Sequence, residues 1–261
     1  MPTFATPEPV AVKVTLDTGR IRVVASERAD TVVEVLPAGP ASSALAAAEQ
    51  TRVELAAGAL SVTAPHRAFL RPGGGIEVHL QLPAGSGISV SAVWVDVQAE
   101  GRLGACRFST MGGPIRLERT GALSVSTSGS DVAVERVDGP ADVQGATSSV
   151  QIRECAEDVT VATANGGIVV SRPASGVTAK TANGDIVVGA LVRGQAVLTT
   201  ARGSVEVGIG EGTAVHVDAR SRLGSVHNLL EVRDGPDGFA ERASVYARTW
   251  YGAITVQRAT P

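Results

Sequence analysis

Apolar residues recur along this chain in pairs separated by a single residue. Ile168/Val170 and Ile186/Val188 are two such pairs, with Val177/Ala179 between them. Alternate residues of a strand share one face, so each pair places two apolar side chains on the same side. Towards the N-terminus the pairs continue as Val159/Val161, Val150/Ile152, Ala141/Val143, Val132/Val134, Leu123/Val125, Ile115/Leu117, Cys106/Phe108, Val97/Ala99 and Ile88/Val90. Towards the C-terminus follow Ala196/Leu198, Val205/Val207 and Val215/Val217. Eleven of the fourteen steps between first members are nine residues long, which marks a repeat architecture.

The turns double that unit. Thr163-Ala-Asn-Gly, Thr181-Ala-Asn-Gly and Thr200-Ala-Arg-Gly, with Thr127-Ser-Gly-Ser as a looser copy, fall on every second turn. The pattern predicts an all-β repeat β-solenoid of parallel β-helix type, with about 18 residues and two strands per coil. Each coil rises by about 4.8 Å on its neighbour. An antiparallel meander or sandwich would also use Asn-Gly turns, but it has no need for a signature on alternate turns.

The ends depart from this rhythm. Residues 1–87 read as a β-rich cap continuous with the solenoid, 88–217 as the solenoid repeats, and 218–261 as a loop followed by a closing coil, all in one structural domain. Within the cap lie VAVKVTL, RIRVVA and TVVEVL, an Ala-rich stretch ASSALAAAEQ, and GGIEVHLQLP. Segment 228–243 reads as a loop insertion, after which the beat returns at Val245/Ala247 and Ile254/Val256. Irregular β caps at both ends are expected, because a solenoid exposes apolar rungs where it stops.

Composition narrows the function classes. Of 261 residues, 44% are apolar and only 3% aromatic, so the core is aliphatic. A net charge of −3 predicts no bulk attraction to nucleic acid or anionic lipid. The opening MPTFATPEPVAVKV lacks a basic and apolar leader pattern, and no apolar run reaches membrane-spanning length. With two cysteines, Cys106 and Cys155, the expectation is a cytoplasmic protein with reduced thiols.

The TANGDI-type phrases, GRIRVVAS near the start and EGRLGACRFST in the middle resemble a bacterial β-strand-repeat family of unknown function catalogued as "putative adhesins". The resemblance spans roughly residues 10–258 through serial T-x-x-G-x-[IV]-x-V units. It implies a β-helix-like fold and an adhesin-like role, and it supplies no catalytic residues.

Candidate chemistry is sparse. His79, His216 and His227 neighbour inward apolar residues and are expected to face outward, and His66 follows Pro65 in a loop. Cys106 falls on an inward position and Cys155 in a turn. Gly73-Gly74-Gly75 and the glycines 208, 210 and 212 read as turns, because strands rather than helices follow them. Asn165, Gly166, Asn183 and Gly184 read as turn scaffold, with the two asparagines stacked as an amide ladder. Asp131 and Asp185 share a turn position where a calcium-binding β-roll would carry acids, but Gly167 and Ser204 interrupt that series.

Glu135, Arg136, Arg153, Glu154 and Arg172 follow apolar pairs and form a candidate charged face. Trp250 and Tyr251 occupy a turn equivalent to Asn-Gly, as an end cap or a docking surface. The combined expectation is a non-enzymatic interaction or scaffold protein with a protein partner. No catalytic residues, cofactor, metal, nucleic acid or membrane are expected, and self-association stays open. The alternatives are a glycan-active enzyme of polysaccharide lyase or hydrolase type on the charged face, or a calcium-stabilised β-roll.

Overall fold

A computed structural model describes residues 2–65, 75–231 and 240–259. His66, Gly73 and Gly74 lie outside the described residues, as does most of the expected loop insertion. The chain forms two compact units, Met1–Asp131 and Val132–Pro261. The architecture is all-β with parallel stacking, as the nine-residue beat requires of a solenoid.

The first unit contains β1 (Thr3–Ala5), β2 (Ala11–Ser26), β3 (Asp30–Pro37), α1 (Ser42–Gln50), β4 (Arg52–Ala56), β5 (Ala59–Thr63), β6 (Ile76–Pro83), β7 (Gly87–Arg102), β8 (Cys106–Gly112), β9 (Ile115–Thr120) and β10 (Leu123–Gly129). Strands β2 and β7 are 16 residues each and pair in parallel along nearly their whole length, from Val12↔Ile88 to Val23↔Ala99. The stack then proceeds from β7 to β8 and β9, and from β8 to β10. On the other side of β2 lie β5 and β6. Antiparallel strands finish that side, with β4 on β5, β3 on β6 and β1 on β3. The Ala-rich stretch is the helix α1, which buries Ala44 and Ala47 and packs against β3 and β6. Small side chains allow that close approach, and alanine also has the highest helix propensity.

The second unit contains β11 (Val132–Val137), β12 (Ala141–Thr147), β13 (Val150–Cys155), β14 (Val159–Asn165), β15 (Ile168–Pro173), β16 (Val177–Asn183), β17 (Ile186–Leu191), β18 (Gly194–Arg202), β19 (Val205–Ile209), β20 (Thr213–Leu223), β21 (Val226–Asn228), β22 (Glu241–Tyr251) and β23 (Ile254–Arg258). Equivalent residues of successive coils pair directly, as Val159↔Val177 and Ile168↔Ile186. Ile168, Val170, Ile186, Leu198 and Val207 have no measurable exposure. Fully burying a side chain of this size stabilises by roughly 1.5–3 kcal/mol, so each coil contributes a complete apolar layer.

The last coils do not stack in chain order. Strand β18 pairs with β22, through Ala196↔Val245 and Leu198↔Ala247, and β20 lies on the far side of β22. The companion strands repeat the arrangement, with β19 on β23 and β23 on β21. The expected Val215/Val217 rung is therefore displaced by one layer. Register shifts as well, because Val217 and Ala219 stand opposite Val245 and Ala247. Val215, Val217 and Ala219 are half-buried, whereas Val245 and Ala247 have no exposure. The β22–β23 coil is an inserted layer and not a closing one.

Both cysteines are free and buried. Cys155 ends β13, paired with Val137 and Pro173, and is not in a turn. Burial disfavours the thiolate, pushing Cys106 up to about 11 and Cys155 in the same direction. Native protein at pH 8 should therefore resist iodoacetamide at both thiols, with two labels appearing after denaturation by mass spectrometry. A folded pKa above the unfolded one means that Cys106 contributes stability below about pH 9 and loses it as pH rises towards 11.

Candidate interaction surfaces

The repeated turn phrase is built for stacking. Each turn threonine points inward and is nearly buried, including Thr163, Thr181, Thr200 and Thr249. The hydroxyls of Thr181, Thr200 and Thr249 donate to the carbonyls of Gly166, Gly184 and Gly203 at 3.3, 3.0 and 3.0 Å. Each acceptor belongs to the turn of the preceding coil, so these threonines join coils instead of closing their own turns. Ser221 donates to Gly252 at 2.9 Å in the same manner, which places β20 after β22 by an independent criterion.

The neighbouring position carries the amides. Asn183 Nδ2 donates to Asn165 Oδ1 at 2.8 Å. Gly166 and Gly184 follow, and their N–H groups donate to the carbonyls of Asn183 and Arg202. Asp185 Oδ1 accepts from the Ser204 N–H at 2.7 Å. In the first unit the Asp131 carbonyl accepts from the Ile115 N–H at 2.8 Å. Among the described residues no group of three or more His, Cys, Asp or Glu side chains converges on a metal position.

The charged face is a ladder of ion pairs. Glu154 joins Arg136 at 3.0 Å and Arg172 at 3.4 Å, one coil to either side, and Arg136 also reaches Asp138 at 2.8 Å. Arg153 and Glu135 pair at 2.7 Å. The Asp138 carboxylate beside Arg136 holds the guanidinium above its ordinary range. Solvent screens such pairs, and side-chain ordering offsets most of their attraction. Glu135→Gln or Arg172→Gln should leave the thermal midpoint within scatter of the wild type, and a clear drop would show that the ladder carries stability.

A third surface lies on the outward side of β22 and β20. Both tyrosines of the chain, Tyr246 and Tyr251, and one of its two tryptophans, Trp250, belong to β22. Trp250 and Tyr251 are 56% and 51% exposed. The Arg222 guanidinium sits 4.8 Å from the Trp250 ring centroid, within cation–π range. Register places Arg202 and Leu223 on either side of Tyr251, and Ala201 beside Trp250. His216 stands 6.3 Å from Tyr246. Asp218 is held below the usual carboxylate range, chiefly by Arg248, whose guanidinium donates to it at 2.6 Å.

The first unit holds a cluster that no sequence spacing marked. Arg20 bridges Glu77 at 3.2 Å and Asp96 at 3.3 Å, and Arg116 approaches Asp96 at 3.7 Å. His79 sits half-buried, 3.5 Å from Glu34 and 3.6 Å from Glu77, and so is not a freely solvated histidine. Its members come from β2, β3, β6, β7 and β9, up to 96 positions apart, and only strand pairing unites them. His227 is exposed and 2.8 Å from Ser225 Oγ.

No protein-family model matches the chain, and no curated protein matches it. Among solved structures it is similar to a "putative adhesin" from Bacteroides fragilis, at 14% identity over 98% of this chain and 95% of that one, with a TM-score of 0.44. A "putative cell adhesion protein" from Clostridium sporogenes aligns at 11% identity over 98% of each chain, with a TM-score of 0.18. Both neighbours carry adhesion names.

Proposed function

We propose that the protein is a non-enzymatic scaffold that binds a protein partner through the outward side of β22 and β20. The observation that supports this reading is the grouping of Trp250, Tyr251, Arg202, Arg222 and Leu223 in a chain with only 3% aromatic residues. Trp, Tyr and Arg dominate binding hot spots, because large rigid side chains bury much area at small entropic cost. The resemblance of the repeats to an adhesin family gives this reading an adhesive form. The charged ladder is a poorer candidate, since binding there must first break its own ion pairs.

The test compares three tagged proteins in pull-downs with mass spectrometry. They are the wild type, Trp250→Ala/Tyr251→Ala, and Arg136→Glu/Arg153→Glu/Arg172→Glu. The reading expects a specific protein captured by the wild type and the arginine variant but not by the aromatic variant. Capture that survives aromatic removal and fails on arginine reversal would move the working face to the ladder. No specific capture by well-folded wild type would count against a protein partner.

A further inference from the structure

We propose that the outer edge of β20 pairs with β20 of a second copy of this chain, antiparallel and across a twofold axis. This goes beyond the partner reading above, because it uses the backbone edge of the strand, and the two surfaces share Leu223. The starting observation is an unpaired edge. Among the described residues β20 pairs only with β22, and β21 only with β23. Strand β20 is 11 residues long, contains no proline and continues without a register shift from Thr213 to Leu223. A long regular edge of this kind is a template for another strand.

The first unit treats its outermost strands differently. There, among the described residues, the edges are β1, with three residues, and β4, with five, both in antiparallel pairs. Short edge strands are a usual means of preventing edge association. Among the described residues no such blunting is found at β20, which fits an edge that is occupied by design. Its inward residues agree, since Val215, Val217 and Ala219 are half-buried where their β22 equivalents are sealed. One more strand would finish that apolar layer.

Charge selects both the occupant and the register. Outward residues of β20 include Asp218 and Arg220, which lie 3.3 Å apart within one strand. A twofold pair centred on Ala219 sets Asp218 of each copy opposite Arg220 of the other, giving two opposite-charge cross-strand pairs. Centring one residue earlier would oppose Asp218 to itself. The same register sets Val215 opposite Leu223, which is 58% exposed in the single chain. An isologous contact of this type closes at two copies and does not propagate.

Sedimentation of the full chain at micromolar concentration should show a dimer. Val217→Lys, which directs a charge into the open layer, and Arg220→Glu, which places an acid opposite each Asp218, should each weaken association at least tenfold while circular dichroism stays unchanged. Arg220 is largely exposed, so that variant remains informative if Val217→Lys disturbs folding. Directly opposed Cα atoms of an antiparallel pair lie about 4.5–5.5 Å apart, within disulfide range. Oxidised Ala219→Cys should therefore run as a covalent dimer. A monomer throughout the accessible concentration range overturns the proposal. So does a dimer that is indifferent to Arg220→Glu, or one in which Ala219→Cys fails to cross-link.

Discussion

Gly166→Ala is expected to destabilise the second unit by about 3–5 kcal/mol, at the upper end of single-substitution effects. Gly166 has φ +125°, a region that glycine reaches and L side chains rarely do. Space is the larger obstacle. A Cβ there would sit 2.2 Å from the Ser148 carbonyl oxygen and 2.6 Å from its carbon. Neither can move independently, because the Ser148 N–H donates to the Asn165 carbonyl at 2.8 Å and the Gly166 N–H to the Asn183 carbonyl at 2.9 Å. Relief means opening the coil interface at two hydrogen bonds. At roughly 3 °C per kcal/mol for a unit of this size, the thermal midpoint should fall by about 10 °C. Gly39→Ala is the matched control, since nothing lies within 4 Å of its added Cβ. Equal midpoints for the two variants would remove coil-to-coil contact as the reason for glycine at this turn.

Phe108→Ala should cost the first unit about 3–5 kcal/mol, the range for deleting a buried aromatic ring. Phe108 is 1% exposed and is the largest fully buried side chain among the described residues. It pairs with Val90 on one side and Val125 on the other, so its immediate neighbours in the stack are valines. Parallel strands hold a fixed spacing, and neighbouring coils cannot collapse into the void without giving up backbone hydrogen bonds. Phe108→Leu should recover more than half of the loss. Chemical denaturation measures both, and a cost near 1 kcal/mol for alanine would mean that the layer repacks freely.

The sequence pattern made the solenoid legible where one residue type serves one position repeatedly. The alternation at Ile168/Val170 and Ile186/Val188 fixes which face is inward, and the turn phrase fixes which coil is which. Neighbour choice was less legible. Val217/Ala219 and Val245/Ala247 are interchangeable as apolar pairs, and a period of two specifies a face without naming the adjacent strand. The β18–β22–β20 order therefore appears only in the pairing. The threonines illustrate the same limit, since a hydroxyl three residues before a glycine reads as a local turn bond, while Thr200 reaches Gly184 of the coil before. The Arg20–Glu77–Asp96–His79 cluster left no trace in spacing because its parts meet across strands.

The inserted β22–β23 layer sets an order of events during synthesis. Strand β20 leaves the ribosome well before β22, by a few seconds at 5–20 residues per second. Short contacts form in microseconds, so β20 has time to settle directly on β18, the position that β22 finally holds. Its Val217 and Ala219 are suited to that lodging, standing in the same register as Val245 and Ala247. A β20 lodged there would have to give way by one layer for β22 to enter beneath it. A slow refolding phase of the second unit that responds to changes in β20 and β22 and ignores changes in β14 or β16 would identify an exchange of strands as the last step of folding.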